Sequence, residues 1–520
     1  MLVIPYGDAF MQVTANPLLP VSSPLSTAPA AANTGQISVL SVNPIWVEDQ
    51  VSLGQRQEAP STYDKPAVVY TGLRDTSPRG SAAASVGNNL ISSLNSVRSK
   101  KAPFMASSIF SQIGALSGET REYRNEARQF SAAADAAVDK LRPNFSLSTT
   151  ALKESIMLEI RTRDGDSILI ELKHSSVGSD SALAFSMLVD GELSPEEQKA
   201  LGRLADKLGQ VADEFFRSDT AELRGLKDID TSIISSFSLN LSRPQGDTRV
   251  THTYEYTVDE SAQTQTLTAK DINDYSVEVT AHLQGLATGK PAHAEILQAY
   301  VDLINQSAEN ADTNNKSKRF MRDAFSAVFS SFIGLPEPTA ETRKRDAILA
   351  AFDSGLPDFK ASIRSPVIHN PNFYTQASSL VLTLEQETRI ERSNHQLWVA
   401  QESRYELINN RFDGMPGVTE GPDLEGGNYS YITQHVVGSI KRSLALTGDR
   451  VDSLVLERER KETTETHVFS NHRQVSVEPY EQETRALQDY NVLLRALDNP
   501  QPIWALNKLV SPEKEIYFLQ

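Results

Sequence analysis

The sequence predicts an α+β fold: antiparallel sheets with packed amphipathic helices, preceded by a disordered N-terminal tail. Three observations carry this. Apolar residues alternate with polar ones in several runs, as in "ESIMLEIRTRDGDSILIEL" and "SSLVLTLEQETRIE", the period of a half-buried strand. Other stretches repeat apolar residues every three to four positions, as amphipathic helices do. The first hundred or so residues, typified by "LPVSSPLSTAPAAANTG", show neither period, and such a composition buries too little apolar surface to offset its ordering entropy. The expected organisation is a Ser/Pro/Ala-rich tail over 1–105, a module of helix, β-hairpin, helix and sheet over 106–290, a helical segment over 291–360, and a charged antiparallel β region over 361–520 with a degenerate internal repeat and a C-terminal helix.

Composition narrows the function. At 520 residues and 39% hydrophobic residues the chain can bury a sizeable core. Its net charge of -17 opposes a nucleic-acid partner, because phosphate tracking needs clustered Lys and Arg. The absence of cysteine excludes disulfides, thiolate nucleophiles and thiolate-bound metals. It also fits a bacterial protein that leaves the reducing cytosol. The opening "MLVIPYGDAFMQVTANPLLP" has no basic segment before its apolar run, so a Sec signal peptide is not expected. Cytoplasm and Sec-independent export both remain open.

In chain order, "ISVLSV" (37–42) and "AVVY" (67–70) are apolar islands able to dock as strands. From Ser117, "SGETREYRNEARQFSAAADAAVDKLRP" places acidic residues early and Lys140 and Arg142 late, the charge order that complements a helix dipole. In the following hairpin, Ile156, Leu158, Ile160, Ile168, Ile170 and Leu172 all sit at even positions. A two-residue turn would put the two sets on opposite faces. A three-residue loop, Arg163-Asp164-Gly165, pairs Ile160 with Ile168 and Leu158 with Ile170, with Gly165 left-handed. Then Ser194, Pro195 and Glu197 form a capping box ahead of Leu201, Leu204, Leu208, Val211, Phe215 and Phe216 at helical spacing. "SSFSLNL" (235–241) and "VTHTYEYTV" (250–258) are strands, the second with Val250, Tyr254, Tyr256 and Val258 on one side.

This unit, with its Gly-Glu-Leu-x-x-Glu-Glu helix ending in Ala-Asp-Glu-Phe-Phe and its Phe-Ser-Leu-x-Leu strand, resembles a module of uncharacterised gammaproteobacterial proteins over residues 150–245. Arg217-Ser218 departs from the Gly-type step expected there. The resemblance implies no activity and no site residue.

Residues 292–355 read as helices. Phe320, Phe325, Val328, Phe329 and Phe332 form an aromatic stripe entered by Lys316, Lys318, Arg319 and Arg322. Such a helix over 316–333 suits a core or a membrane surface, and on an acidic chain the core is favoured. Strands return at Leu380, Leu382 and Leu384 and at Leu454 and Leu456, separated by the Gly/Pro-rich loop 412–430. A short amphipathic segment carrying Trp504 follows.

No catalytic, cofactor-binding or metal residue is assigned. Ser393-Asn394-His395 and Ser470-Asn471-His472 each follow a Ser-Leu-Val-Leu strand start. They read as a repeated β unit rather than as nucleophile and base, since a strand has no strained elbow or oxyanion loop. Ser167, in "GDSI", resembles a hydrolase block but sits at a hairpin turn. His467 and His472 fall on opposite faces of a strand, and Asp228 and Asp230 lack the rest of a calcium loop. No phosphate-cradling glycine motif follows a strand, so no cofactor is expected. The expected function is non-catalytic: a structural or interaction protein of a bacterial cell with a protein partner. The alternatives are an exported hydrolase using Ser167 or a carboxylate pair, and a peripheral membrane binder through 316–333.

Overall fold

The structure is a computed structural model that describes residues 68–72, 80–98, 105–130, 152–177, 180–221, 223, 229–283, 293–330 and 344–497. All of these lie in one compact unit, Lys65–Gln520. Its strands are β1 (Val68–Gly72), β2 (Glu122–Phe130), β3 (Leu152–Thr162), β4 (Ser167–Val177), β5 (Asp180–Asp190), β6 (Ile234–Gln245), β7 (Thr248–Asp259), β8 (Thr264–Lys270), β9 (Ser276–His282), β10 (Phe359–Arg364), β11 (Ile368–His369), β12 (Ala377–Ser393), β13 (Gln396–Asp413), β14 (Tyr429–Thr447), β15 (Arg450–Ser470) and β16 (Arg473–Asp489). Its helices are α1 (Ser81–Arg98), α2 (Ser107–Phe110), α3 (Ile113–Glu119), α4 (Pro195–Ser218), α5 (His293–Asn310), α6 (Asn315–Ser330), α7 (Lys344–Phe352) and α8 (Asn491–Arg495).

The strands make a single antiparallel sheet in the order β1-β2-β5-β4-β3-β6-β7-β8-β9-β10-β12-β13-β14-β15-β16, with β11 paired to β12. The sequence suggests two sheet regions split by helices; instead β9 pairs directly with β10, Ala281 opposite Phe359, and α5, α6 and α7 form the excursion between these neighbours. The fold is therefore α+β only in the coarse sense that helices cover a dominant sheet, and the divisions drawn at residues 290 and 360 fall inside it.

One transverse row shows why the sheet has a single buried face. Tyr123, Met187, Ile170, Leu158, Leu239, Tyr254, Ala269, Val277, Ile363, Leu382, Leu407 and Val436 stand opposite one another in turn. All are buried. Because side chains alternate with period two, one register error in this chain of pairings would expose an apolar set. Past Val436 the row becomes Glu462 and then Gln482, and the core gives way to polar sheet.

The hairpin β3–β4 has the expected register, Ile160 opposite Ile168 and Leu158 opposite Ile170. Its loop closes with Thr162 N–H donating to Asp166 O, and Gly165 is left-handed at φ 98°. Helix α4 starts with the expected capping box on Ser194 and Glu197. Its apolar stripe of Leu201, Leu204, Leu208, Val211 and Phe215 is buried. At the α3–α4 crossing, a Cβ on Gly114 would stand 2.8 Å from Gln198 O and 3.0 Å from Gly202 Cα, so only glycine permits this approach. In α6, Phe320, Phe325, Val328 and Phe329 are buried. Phe325 and Phe329 meet Phe359 of the sheet at 5.8 and 5.0 Å between ring centroids, so the stripe packs into the core. Phe332 lies outside the described residues.

Two expectations are corrected. The helix expected from Ser117 is instead the end of α3 followed by strand β2, because Tyr123, Asn125, Ala127 and Gln129 bury on one face while Glu122, Arg124, Glu126 and Arg128 point away. Docking against β5 and α1 outweighs local helix preference. Residues 131–150 lie outside the described residues. The stretch expected as tail contains α1, whose Val86, Leu90 and Leu94 are fully buried, and β1, which realises the docking island at 67–70 by pairing with β2. Residues 1–67 lie outside the described residues. The two helices near β2 are capped by distant carboxylates. Glu119 accepts from the N–H groups of Ala82 and Ala83 at the start of α1. Buried Asp213 of α4 accepts from Ala106 N, Ser107 N and Ser107 Oγ at the start of α2. Each satisfies backbone donors that a helix start leaves unpaired.

Candidate interaction surface

The sheet face turned away from the helices is built from a recurring local device. A Glu and an Arg or Lys two residues later point the same way on a strand and bond side by side. Examples are Glu126 with Arg128 (2.7 Å), Glu171 with Lys173 (2.8 Å), Glu387 with Arg389 (2.9 Å), Glu402 with Arg404 (2.7 Å) and Glu483 with Arg485 (2.7 Å). The Glu-x-Arg/Lys spacing is the signal in the sequence that marks these outward positions. Exposed pairs of this kind add little to stability; their effect is to keep a wide sheet face hydrated and unsuited to random stacking.

Over β12–β16 this outward face carries more carboxylates than cations. Glu385 and Glu387 lie beside Arg404 and Glu402, then Ser439 and Lys441, then Glu459 and Glu457. Within this field Ile408 and Val437 are 38% and 43% exposed on adjacent strands, opposite His435 and Glu406 respectively. Lys461 stands opposite Val437 on the other side, so the face offers an apolar spot within a mixed field of charge in which carboxylates outnumber cations. Among the described strands β16 forms one edge of the sheet. Pro479 interrupts its donors, Glu481 is held by Lys461 at 2.9 Å, and Arg485 bridges to Glu459 at 2.8 Å. A proline and ordered charges guard an edge against pairing with another strand, so the broad face rather than the edge is the available surface.

The residues singled out in the sequence do not converge. Asn394-His395 and Asn471-His472 are two-residue turns closing β12–β13 and β15–β16, with Ser393 opposite Gln396 and Ser470 opposite Arg473. The tripeptides are therefore hairpin tips, not strand interiors. Asn394, Asn471 and His472 are left-handed at φ 39°, 48° and 62°, a conformation asparagine tolerates well. Ser470 Oγ donates to Asn428 Oδ1 at 3.4 Å, and His472 N–H donates to Gly427 O at 3.1 Å. His467 lies 3.3 Å from Glu465 on β15. Ser167 faces away from the helices, opposite Arg161 and Asp190. Asp230 accepts from the Ser232 hydroxyl at 2.5 Å, and Asp228 lies outside the described residues. Among the described residues no group of three His, Asp or Glu side chains is placed to hold a metal ion.

Two buried titratable groups hold the layers together. His252 of β7 sits among Phe215, Phe320 and Tyr254, with ring centroids at 5.5, 5.1 and 4.8 Å. Tyr254 OH donates to Ala221 O at 2.8 Å, so it accepts from His252 Nε2 at 2.7 Å. The proton is on Nε2, and the bare Nδ1 has no hydrogen-bond partner. Burial pushes this imidazole down to about 3. Asp353, after α7, accepts from Gln401 Nε2 at 3.3 Å. Burial raises its carboxyl to about 6, against the opposing pull of hydrogen bonds and Arg442. Arg442 donates to Phe352 O at 2.6 Å and stacks over that ring at 4.4 Å. These contacts fasten α4, α6 and α7 to the sheet.

No family model, curated protein or solved structure matches the chain.

Proposed function

We propose that the chain is a structural or protein-interaction protein of a bacterial cell, and that the outward face of β12–β16 binds a basic protein surface. The observation that supports this is the exposed pair Ile408 and Val437 set in an outward face whose carboxylates outnumber its cations, since a partly apolar centre within charge is the usual anatomy of a specific interface and an excess of carboxylates selects a cationic partner. The packing of the α6 rings Phe325 and Phe329 against Phe359 favours this reading over a membrane binder through 316–333. Placing a photo-crosslinking residue at Ile408 or Val437 in the native host, with a control at Thr251 on the same face of β7, tests the reading. One discrete adduct is expected from the first two positions, lost at high salt and in the Glu385→Lys/Glu457→Lys variant. Equal capture at Thr251, or adducts indifferent to salt and charge reversal, would refute it.

A further inference from the structure

At one end of the sheet, three neighbouring strands bring together side chains far apart in the chain. Glu154 of β3, His174 of β4 and Ser181 of β5 share the helix-side face with Ile156, Leu172 and Leu183. His174 Nε2 lies 3.0 Å from Ser181 Oγ, and His174 Nδ1 is hydrogen-bonded to Glu154 Oε2. An ionised carboxylate only accepts, so the proton resides on Nδ1 and Nε2 is left to accept from the serine hydroxyl. That is the order nucleophile, base, acid that activates a serine. A register shift between Leu152 and Glu154 inserts a bulge there, a device that re-aims a side chain. The imidazole is held firmly, its side chain 6% exposed, while Ser181 is half-buried.

A second feature lies on the other flank of the serine. Gln129 of β2 stands directly opposite Ser181 on the same face. It is 2% exposed. The N–H of a side-chain amide beside a nucleophile is one of the groups that stabilises an oxyanion.

We propose that Ser181, His174 and Glu154 form an acyl-transfer site for small carboxylic esters, with the Gln129 amide donating to the oxyanion. Ser181 Oγ attacks the ester carbonyl carbon as its proton passes to His174 Nε2, and Glu154 stabilises the imidazolium. The carbon–oxygen bond to the alcohol breaks, and His174 returns the proton to the departing oxygen. Water then attacks the acyl-serine by the same route, releasing the carboxylic acid and restoring the hydroxyl. The site uses the helix side of the sheet and none of the residues of the outward face, so the two readings stand or fall separately.

The test treats the full chain with a fluorophosphonate probe and with p-nitrophenyl acetate. Labelling should map to Ser181, vanish in Ser181→Ala, persist in Ser167→Ala, and slow on the order of a hundredfold in His174→Gln, the scale of a lost general base. Glu154→Gln should keep the labelled residue but lower the rate and change its dependence on pH. Circular dichroism and the thermal midpoint establish that each variant is folded. Absence of labelling in folded wild-type protein, labelling at another residue, or a folded His174→Gln variant that reacts at the wild-type rate would overturn the assignment.

Discussion

Acid should loosen the attachment of the helices to the sheet through His252, and the size of the effect follows from its surroundings. In the unfolded chain the imidazole titrates near 6.5, whereas burial lowers it to about 3 in the folded protein. A depressed histidine means that the unfolded state binds the proton more readily. Its contribution to stability is therefore complete above 6.5 and is lost as pH falls from there toward 3. Between about pH 7.5 and about pH 5.5 the loss from this one group comes to about 1.4 kcal/mol, a tenfold change in the folding equilibrium. Asp353 acts in the opposite sense, its carboxyl raised from 3.8 to about 6. Its contribution is full below 3.8 and lost as pH rises through 6. Over the same interval acidification regains about 0.8 kcal/mol from it. The two partly cancel in the wild type, so the informative quantity is the difference between proteins. Urea unfolding followed by circular dichroism at the two pH values, staying above the isoelectric point near 5.1, should show His252→Gln losing about 1.4 kcal/mol less stability than wild type on acidification. The level of stability of the variant does not matter, only its pH dependence. Equal acid losses in the two proteins would refute the argument that a neutral imidazole with a bare Nδ1 is clamped between α4, α6 and β7.

Two further outcomes follow from packing. Phe325→Ala removes a fully buried ring from the group formed with Tyr300, Phe329 and Phe359; it should cost about 3–5 kcal/mol in denaturant unfolding and leave flotation with anionic liposomes unchanged. Gly114→Ala forces a Cβ to within 2.8 Å of a backbone oxygen of α4 and should cost about 1–3 kcal/mol, read as a lowered thermal midpoint.

Local signals were the most legible. The β3–β4 register followed from six apolar residues of one parity, because a turn length either keeps that parity or breaks it. The α4 start followed from Ser194, Pro195 and Glu197, because a capping box is complete within four residues. The Glu-x-Arg/Lys spacing would have marked the outward face in the same way. Propensity misled where neighbours in space decided. Residues 122–130 carry helix-forming Ala, Glu and Arg, yet the burial of Tyr123 and Ala127 and the pairing with β5 make them a strand.

What the sequence by itself determined is the set of pieces: which stretches have period two, which have helical period, which turns need a left-handed residue, and that cysteine chemistry is absent. Those properties depend on contacts within a few residues. Tertiary structure decided that all the described strands join in one sheet, that Glu119 and Asp213 cap helices 37 and 107 residues away, and that Glu154, His174 and Ser181 meet at one end. Such meetings depend on which strands lie side by side. Strand order is set by the joint burial of one face across the whole sheet, a quantity no short stretch contains.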